Sequence, residues 1–428
     1  MTNPVLTSLM AAVGDDGPVA PVSTGPTGLD SRSRSEDLAL GSVAFCATQA
    51  SRWLGADLTV DPTRVGANVR SLGHLRLDGA AFPSFAPLSG FFEAADGWVR
   101  THANYDWHQA RLAAVLGLDG DERRPPTKNG AATAIRSWPA QDLEDAVTAA
   151  GGIATRVRTA AEFGADVGPA PLLTVEPGAA RSVRSRRIRV LDLTRVIAGP
   201  VATRTLAALG MDVLRIDPPQ LPELAGAYLD SAAGKRSATV DLASERGTLR
   251  RLVEGADVIV TGYRPGALAR LGLGAADLHS RRPDAVVATI QAWPGGSPFA
   301  DRRGFDSIVQ AACGIADVET GAGGIPGALS AQALDHSCGY LLAGAILHAL
   351  TAGRGARITT SLTGAGLALL ALGPTASPAR EVDDIAHLET VDTPAGRLAR
   401  VRSMWEVDGV SSAVVAYGSS AAVWADED

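Results

Sequence analysis

Between Ile188 and Leu372, short apolar runs recur at intervals that leave room for a helix between neighbours. Arg189-Val-Leu-Asp-Leu193, Asp212-Val-Leu-Arg-Ile216, Ser237-Ala-Thr-Val-Asp241, Asp257-Val-Ile-Val-Thr261 and Ala285-Val-Val-Ala-Thr-Ile290 read as strands. Helical spacing is expected from Val201 to Leu209 and from about Glu245 to Val253. Strands separated by helix-length segments predict a parallel sheet covered by helices on both faces, a Rossmann-like α/β unit. Ahead of it the pattern changes. Phe91-Phe92 and Trp98-Val99 flank Asp96-Gly97, a hairpin signal, and Trp107, Leu112, Val115 and Leu116 then recur at helical spacing. A second amphipathic helix covers Leu143 to Ala149 and stops at Gly151-Gly152. This part reads as a small α+β module.

Composition shifts give the expected boundaries: a flexible Pro/Gly-rich arm over 1–38, the small α+β domain over 39–180, an arginine-rich linker over 181–189, the Rossmann-like large domain over 190–375 and a C-terminal segment over 376–428. The linker reads as a solvated connector, because so many adjacent arginines cannot all be buried and paired.

The chain has 428 residues, 46% apolar and 20% charged, which is ordinary globular usage. Its 39 Lys and Arg against 46 Asp and Glu leave a net charge of −7, the wrong sign for bulk nucleic-acid binding. Three cysteines, Cys46, Cys313 and Cys338, without ligand spacing predict neither a disulfide framework nor a zinc site, and fit a reducing cytoplasm. No signal-peptide pattern opens the chain, and the apolar stretches Leu341–Leu350 and Leu362–Leu372 fall short of the ~20 residues of a membrane span. No membrane segment is expected.

A Rossmann-like unit invites a dinucleotide, yet the turn after the first strand is Thr194-Arg-Val-Ile-Ala-Gly-Pro200, without the G-x-G-x-x-G fingerprint. No G-x-S-x-G elbow or H-E-x-x-H helix occurs, and His102 and His108 do not share a helical face, so both read as structural or exposed.

The turn belongs instead to an ordered series. Val190-Leu-Asp-Leu-Thr-Arg-Val-Ile-Ala-Gly-Pro200, Leu206-Ala-Ala-Leu-Gly-Met-Asp-Val-Leu-Arg-Ile-Asp-Pro-Pro219, Gly234-Lys-Arg-Ser-Ala-Thr-Val-Asp-Leu242, Ala256 to Gly272 and Gly304-Phe-Asp-Ser-Ile-Val-Gln310 follow one another in register. Together they resemble the family III CoA-transferases, the group that includes formyl-CoA and carnitine CoA-transferases with the 2-methylacyl-CoA racemases as a side branch. The resemblance implies a nucleophilic aspartate at Asp335, within Ser330-Ala-Gln-Ala-Leu-Asp-His-Ser-Cys-Gly339. Without the flanking motifs, Asp335 reads first as a helix N-cap, and with them as the nucleophile. A desolvated carboxylate near a helix start is also a workable nucleophile, because N–H groups there can stabilise developing negative charge.

By motif position the resemblance implies CoA contacts at Ile197, Ala198, Leu242, Gly262, Tyr263, Arg270, Arg303, Gly304 and Phe305. Arg270 suits a CoA phosphate, since guanidinium pairs with phosphate bidentately, or is a surface arginine. Lys235, one of two lysines in the chain, suits either a ligand or the structure of its turn.

The implied activity is transfer of CoA between an acyl-CoA and a carboxylic acid through an aspartyl covalent intermediate. CoA thioester is then a substrate, no resident cofactor or metal is expected, and the resemblance implies a homodimer. Phe305 stands where the racemase branch has a proton-abstracting histidine, which disfavours racemisation. The small-domain-like segment precedes the large domain, the reverse of the family order, and no Gly-rich loop precedes Phe91. These departures keep open a CoA-binding or assembly subunit without catalysis, and more remotely a racemase or isomerase.

Overall fold

The computed structural model describes residues 3–118, 125–181, 187–264, 266–375 and 380–425. Two helices open the chain, α1 (Pro4–Ala12) and α2 (Ser35–Leu54). A small antiparallel sheet follows, of β1 (Gly90–Glu93), β2 (Trp98–Thr101) and β3 (Ala154–Arg156), with helices α3 (Asp106–Val115) and α4 (Ala140–Ala149) inserted before β3. The Asp96-Gly97 turn closes the β1–β2 hairpin as its sequence predicts.

The large sheet comprises β4 (Leu173–Ala180), β5 (Arg189–Leu193), β6 (Asp212–Asp217), β7 (Arg236–Thr239), β8 (Val258–Thr261), β9 (Val286–Gln291) and β10 (Arg354–Ser361). Its order is β4-β10-β9-β8-β5-β6-β7, parallel throughout except that β4 runs antiparallel to β10. Alternate side chains enter different layers: Val190, Val213, Val258 and Val286 join one core, while Leu191, Leu214, Ile259 and Val287 join the other. Both faces are therefore dry, which is why the strands read as near-continuous apolar runs. The α/β architecture, a mostly parallel sheet between helices beside a smaller sheet, agrees with the sequence reading.

On one face lie α5 (Ala198–Ala208), α6 (Asp306–Cys313) and the long α7 (Ala333–Thr351). Helix α7 is buried on nearly every side, between α5 and α2. Two glycines permit this: a Cβ on Gly339 would stand 2.6 Å from the Ala198 carbonyl, and one on Gly344 2.7 Å from the Phe45 ring. The first approach also brings the start of α7 to the start of α5.

Two boundary expectations need correction. The segment 1–38 is not a free arm: α1 is capped by Asn3, whose side chain accepts the Val5 and Leu6 N–H groups at 2.9 and 3.1 Å, and it buries Val5, Leu6, Leu9 and Met10. Nor does 39–180 form one unit, because α2 belongs to the core under the large sheet. The small module has its own core from Leu88 to Ala154. The error arises because α1 packs on α2, and α2 finds its own partner, α7, some 300 residues downstream, beyond the reach of local periodicity. The C-terminal segment contributes β11 (Leu388–Thr393) and β12 (Gly396–Val401), which pair with each other and with Arg76–Leu77. It ends with Trp424 buried in the second core. The middle of the basic linker, 182–186, lies outside the described residues; its ends are anchored, Arg181 to Asp257 at 3.1 Å and Arg189 within β5.

Candidate active site

Asp335 is the third residue of α7. The chain enters the helix through Ala331, a non-glycine residue at φ 60°, and Gln332 at the N-cap makes no side-chain capping bond. The cap comes from another helix. Asp306, the first residue of α6, accepts the Asp335 N–H on Oδ2 at 3.0 Å, and its other oxygen accepts a short hydrogen bond from Gln310. Gln310 in turn accepts the Leu329 N–H at 2.9 Å. Asp306 thus does the work that the N-cap reading gave to Asp335, and the Asp335 carboxyl is left without a hydrogen bond among the described residues. Asp335 is 8% exposed and Asp306 2%.

Two carboxyls this close in a dry site cannot both ionise freely. Burial and then the neighbouring Asp306 push Asp335 well above the usual carboxylate range. Burial likewise raises Asp306, to about 6, against the hydrogen bonds from the α7 turn and Gln310 and the charge of Arg100. Burial and mutual repulsion thus disfavour the doubly ionised pair and favour keeping one proton on it. Once that proton leaves, Asp335 is a poorly solvated carboxylate, a far better nucleophile than one in water.

The small module roofs this pair. The His102 ring stacks on Phe305, the residue before Asp306, with centroids 3.9 Å apart and planes 14° off parallel. Burial, then Arg100 and His108, push His102 down to about 3, so it is neutral. Arg100, 7% exposed, lies against the Phe85 and Phe91 rings at 4.7 and 4.9 Å. A buried ion cluster fastens the roof: Glu144 of α4 pairs with Arg158 at 2.8 Å and with Arg302 of the large domain at 2.5 Å. The two histidines are thus buried, and stand beside the candidate nucleophile's motif.

The resemblance-derived CoA contacts gather where the loops leave the carboxyl ends of β5, β8 and β9, the usual ligand edge of such sheets. Ile197 and Ala198 open α5 and are 8% and 5% exposed. Gly262 follows β8, and a Cβ there would stand 3.3 Å from Ile290 of β9 and 3.7 Å from Thr194 after β5. Tyr263 is half-buried, its hydroxyl without a hydrogen-bond partner among the described residues. Arg303 and Gly304 precede Phe305, and a Cβ on Gly304 would meet Trp293 at 2.8 Å.

Leu242 and Arg270 stand apart, beyond the β7 edge strand and on a short 3-10 turn. Leu242 helps floor a cavity of about 310 Å³ with Leu249, Leu271 and Leu273. Arg270 is exposed and donates to the Gly266 carbonyl at 3.2 Å. Lys235 is settled as structural: it is buried and bonds Thr203 at 2.6 Å, the Pro200 carbonyl at 3.0 Å and Asp192 at 3.1 Å, tying α5 to β5.

Sequence reasoning missed four residues at this edge. Arg111 of α3 and Arg303 both donate to the Gly151 carbonyl, at 2.9 and 2.8 Å, and Arg264 donates to the Asp301 carbonyl at 3.3 Å. None of the three has a carboxylate partner among the described residues. They act on one another: burial, then Arg264 and Arg111, lower Arg303, and burial followed by Arg303, Arg111, Arg195 and Arg264 pushes His108 down to about 4. Such an uncompensated group of guanidiniums suits an anion. Arg264, inside the quoted Ala256–Gly272 motif, and Asp306, inside Gly304–Gln310, were readable from motif membership. Arg111 and Arg100 carry no sequence signal.

Comparison with known proteins fits this arrangement. Residues 186–391 match the model of CoA-transferase family III. Over 177 residues the chain is 37% identical to the probable fatty acyl-CoA transferase Rv3272 of Mycobacterium tuberculosis, covering 38% of this chain and 45% of that protein. It is 31% identical over 208 residues to a succinate–glutarate CoA-transferase of Agrobacterium fabrum, covering 43% and 52%. To a formyl-CoA:oxalate CoA-transferase of Afipia carboxidovorans it is 27% identical over 272 residues, covering 55% and 63%. A crystal structure of Rv3272 aligns with 31% identity and a TM-score of 0.40 over 45% of this chain and 59% of that one. The chain spans about half the length of the curated relatives it matches. The residues that match the CoA-transferase family III model, 186–391, hold Asp335, Asp306 and the motif-derived CoA-facing candidates.

Proposed function

We propose that the protein transfers CoA between an acyl-CoA thioester and a carboxylic acid, with Asp335 as nucleophile. The observation that carries this reading is the freed carboxyl of Asp335: buried in the first turn of α7, relieved of capping by Asp306, and placed in a family III segment. In the first step the Asp335 carboxylate attacks the thioester carbonyl. A C–O bond forms, the C–S bond breaks, and CoA leaves as thiolate from a mixed anhydride. The thiolate then attacks the aspartyl carbonyl, releasing the donor acid as carboxylate and leaving an aspartyl-CoA thioester. An acceptor carboxylate repeats the two steps in reverse and restores Asp335. Thioester energy is conserved, so the exchange calls for neither ATP nor a metal.

In this reading Ile197, Ala198, Gly262, Tyr263, Gly304 and Phe305 line the path of the pantetheine arm. Arg264, Arg303 and Arg111 meet the phosphates, while Leu242 and Arg270 lie toward the nucleotide end. A homodimer and a cytoplasmic setting belong to the same proposal. Three buried free thiols fit a reducing compartment, and no helix among the described residues is long and apolar enough to cross a membrane. Light scattering at micromolar concentration should give twice the single-chain mass.

The test of the activity is isotope exchange. Labelled free acid, incubated with the corresponding unlabelled acyl-CoA and enzyme, should enter the thioester pool, and Asp335→Asn should abolish that entry. CoA binding without exchange, across short and long acyl donors, would favour the non-catalytic binding subunit instead.

A further inference from the structure

The loop joining β5 to α5 holds an uncomfortable backbone. Val196 has φ 63°, in the left-handed region that a β-branched side chain enters only when its surroundings compel it. The next two residues are Ile197 and Ala198. What compels Val196 is a carboxylate from another loop: Glu223 Oε2 accepts the Val196 N–H at 2.9 Å, and that N–H has no other acceptor among the described residues. The Glu223 side chain is wholly enclosed although its neighbours Pro222 and Leu224 are exposed. The grip is mutual, because Arg195 donates to the carbonyls of Leu221 and, at 2.8 Å, Pro222.

The same carboxylate reaches the small module. Glu223 Oε1 accepts the Tyr105 hydroxyl at 2.5 Å and the Leu224 N–H at 3.0 Å. Tyr105 precedes α3 and stacks on Trp107 at 4.6 Å, and the Arg195 guanidinium lies 5.2 and 5.9 Å from those two rings. Arg215 of β6 also donates to Glu223, at 3.0 Å, but Arg215 keeps two hydrogen bonds to Asp217, at 2.7 and 3.0 Å, with or without Glu223. Arg215 therefore has a substitute for Glu223, whereas the Val196 N–H of the strained loop and the Tyr105 hydroxyl have none among the described residues.

We propose that Glu223 is a positioning residue that holds the Arg195–Ala198 loop in its CoA-binding conformation and that Tyr105 links docking of the small module to that loop through the same carboxylate. The inference rests on the CoA-binding reading above. It predicts a particular kind of rescue: glycine enters the left-handed region freely, so Val196→Gly should make the loop conformation accessible without the carboxylate.

The experiment compares wild type, Glu223→Gln, Glu223→Ala, Tyr105→Phe and the double variant Glu223→Ala/Val196→Gly. CoA affinity is measured by calorimetry, KM and kcat separately, amide hydrogen exchange over residues 194–198, and melting temperature. Glu223→Ala should weaken CoA about tenfold, raise the acyl-CoA KM more than it lowers kcat, and speed exchange at Val196. Glu223→Gln, which keeps an acceptor oxygen and the shape, should fall between wild type and Ala. Tyr105→Phe should give a smaller loss of the same kind. The double variant should recover most of the CoA affinity while its melting temperature stays at that of Glu223→Ala. A lowered melting temperature with unchanged CoA affinity, or no recovery in the double variant, would mark Glu223 as a core ion-pair residue only and overturn the inference. Unchanged exchange at Val196 in Glu223→Ala would overturn it whatever the enzyme does. Wild type that binds no CoA defeats the proposed function and the CoA role of Glu223 together, and the exchange data then report the loop contact on its own.

Discussion

Two pairs of buried carboxylates in the large domain, Asp192 with Glu223 and Asp306 with Asp335, are built in opposite ways. Asp192 and Glu223 are saturated with cations and donors. Burial pushes each up, yet Lys235 and Arg215 hold Asp192, and Arg215 and Arg195 hold Glu223, below the usual carboxylate range. Asp306 has donors but no bonded cation, Asp335 has neither among the described residues, and both are pushed up. The first arrangement fixes backbone: Lys235 bolts α5 to β5, and Glu223 holds Val196. The second leaves one carboxyl under-solvated and unbonded, which is what a nucleophile requires and a scaffold does not. Burial of acidic side chains alone does not locate an active site; the missing partners do.

The comparison breaks most visibly at Asp335. Asp335→Asn should reduce CoA transfer by about 10³-fold or more, to background, with little change in melting temperature, because α7 keeps its cap from Asp306. The paired group should respond the other way. Lys235→Met leaves Asp192 buried without its cation and should cost about 3–5 kcal/mol of stability in urea denaturation. A loss below ~1 kcal/mol there would show that Asp192 is not held by that pair.

The pH dependence sharpens the contrast. Asp306 and Asp335 have folded values raised above their unfolded ones, so the stability they contribute is complete below about pH 4. It is lost as pH rises through about 6 and beyond, whereas transfer activity should climb over that upper range as Asp335 ionises. Asp306→Asn should remove the step near 6 from a plot of melting temperature against pH and shift the activity rise to lower pH. A flat activity profile from pH 5 to 9 would contradict the proton-sharing pair. Smallest is the effect at Arg270, an exposed side chain held only by its own turn: Arg270→Ala should weaken CoA about three- to tenfold without changing stability. Equal affinity would reassign it to the surface.

Sequence made one half of this picture legible and hid the other for a physical reason. The strands β5, β6, β8 and β9 were readable because a parallel strand buried on both faces must be apolar at successive positions, and Asp335 was singled out as a candidate by its motif alone. The packing of α1 and α2 was not readable, since the Ala, Ser and Gly faces of α2 give no strong period, its partner α7 lies far along the chain, and α1 rests on α2. The exchange of capping roles between Asp335 and Asp306 is a contact across 29 residues, and the grip of Glu223 on Val196 crosses from a polar loop whose sequence looks like any other turn. From spacing alone His102 was read as structural or exposed. Only its stacking on Phe305 places it at the site.

The central claim, that the unpartnered carboxyl of Asp335 forms the covalent intermediate, is tested most directly by trapping it. Wild type mixed with an acyl-CoA that it turns over, quenched in acid and digested, should show the peptide containing Asp335 heavier by CoA, and hydroxylamine should convert the same residue to a hydroxamate. Asp335→Asn should show neither mark. Turnover of that acyl-CoA with no adduct at Asp335, together with retained transfer in Asp335→Asn, would contradict the account.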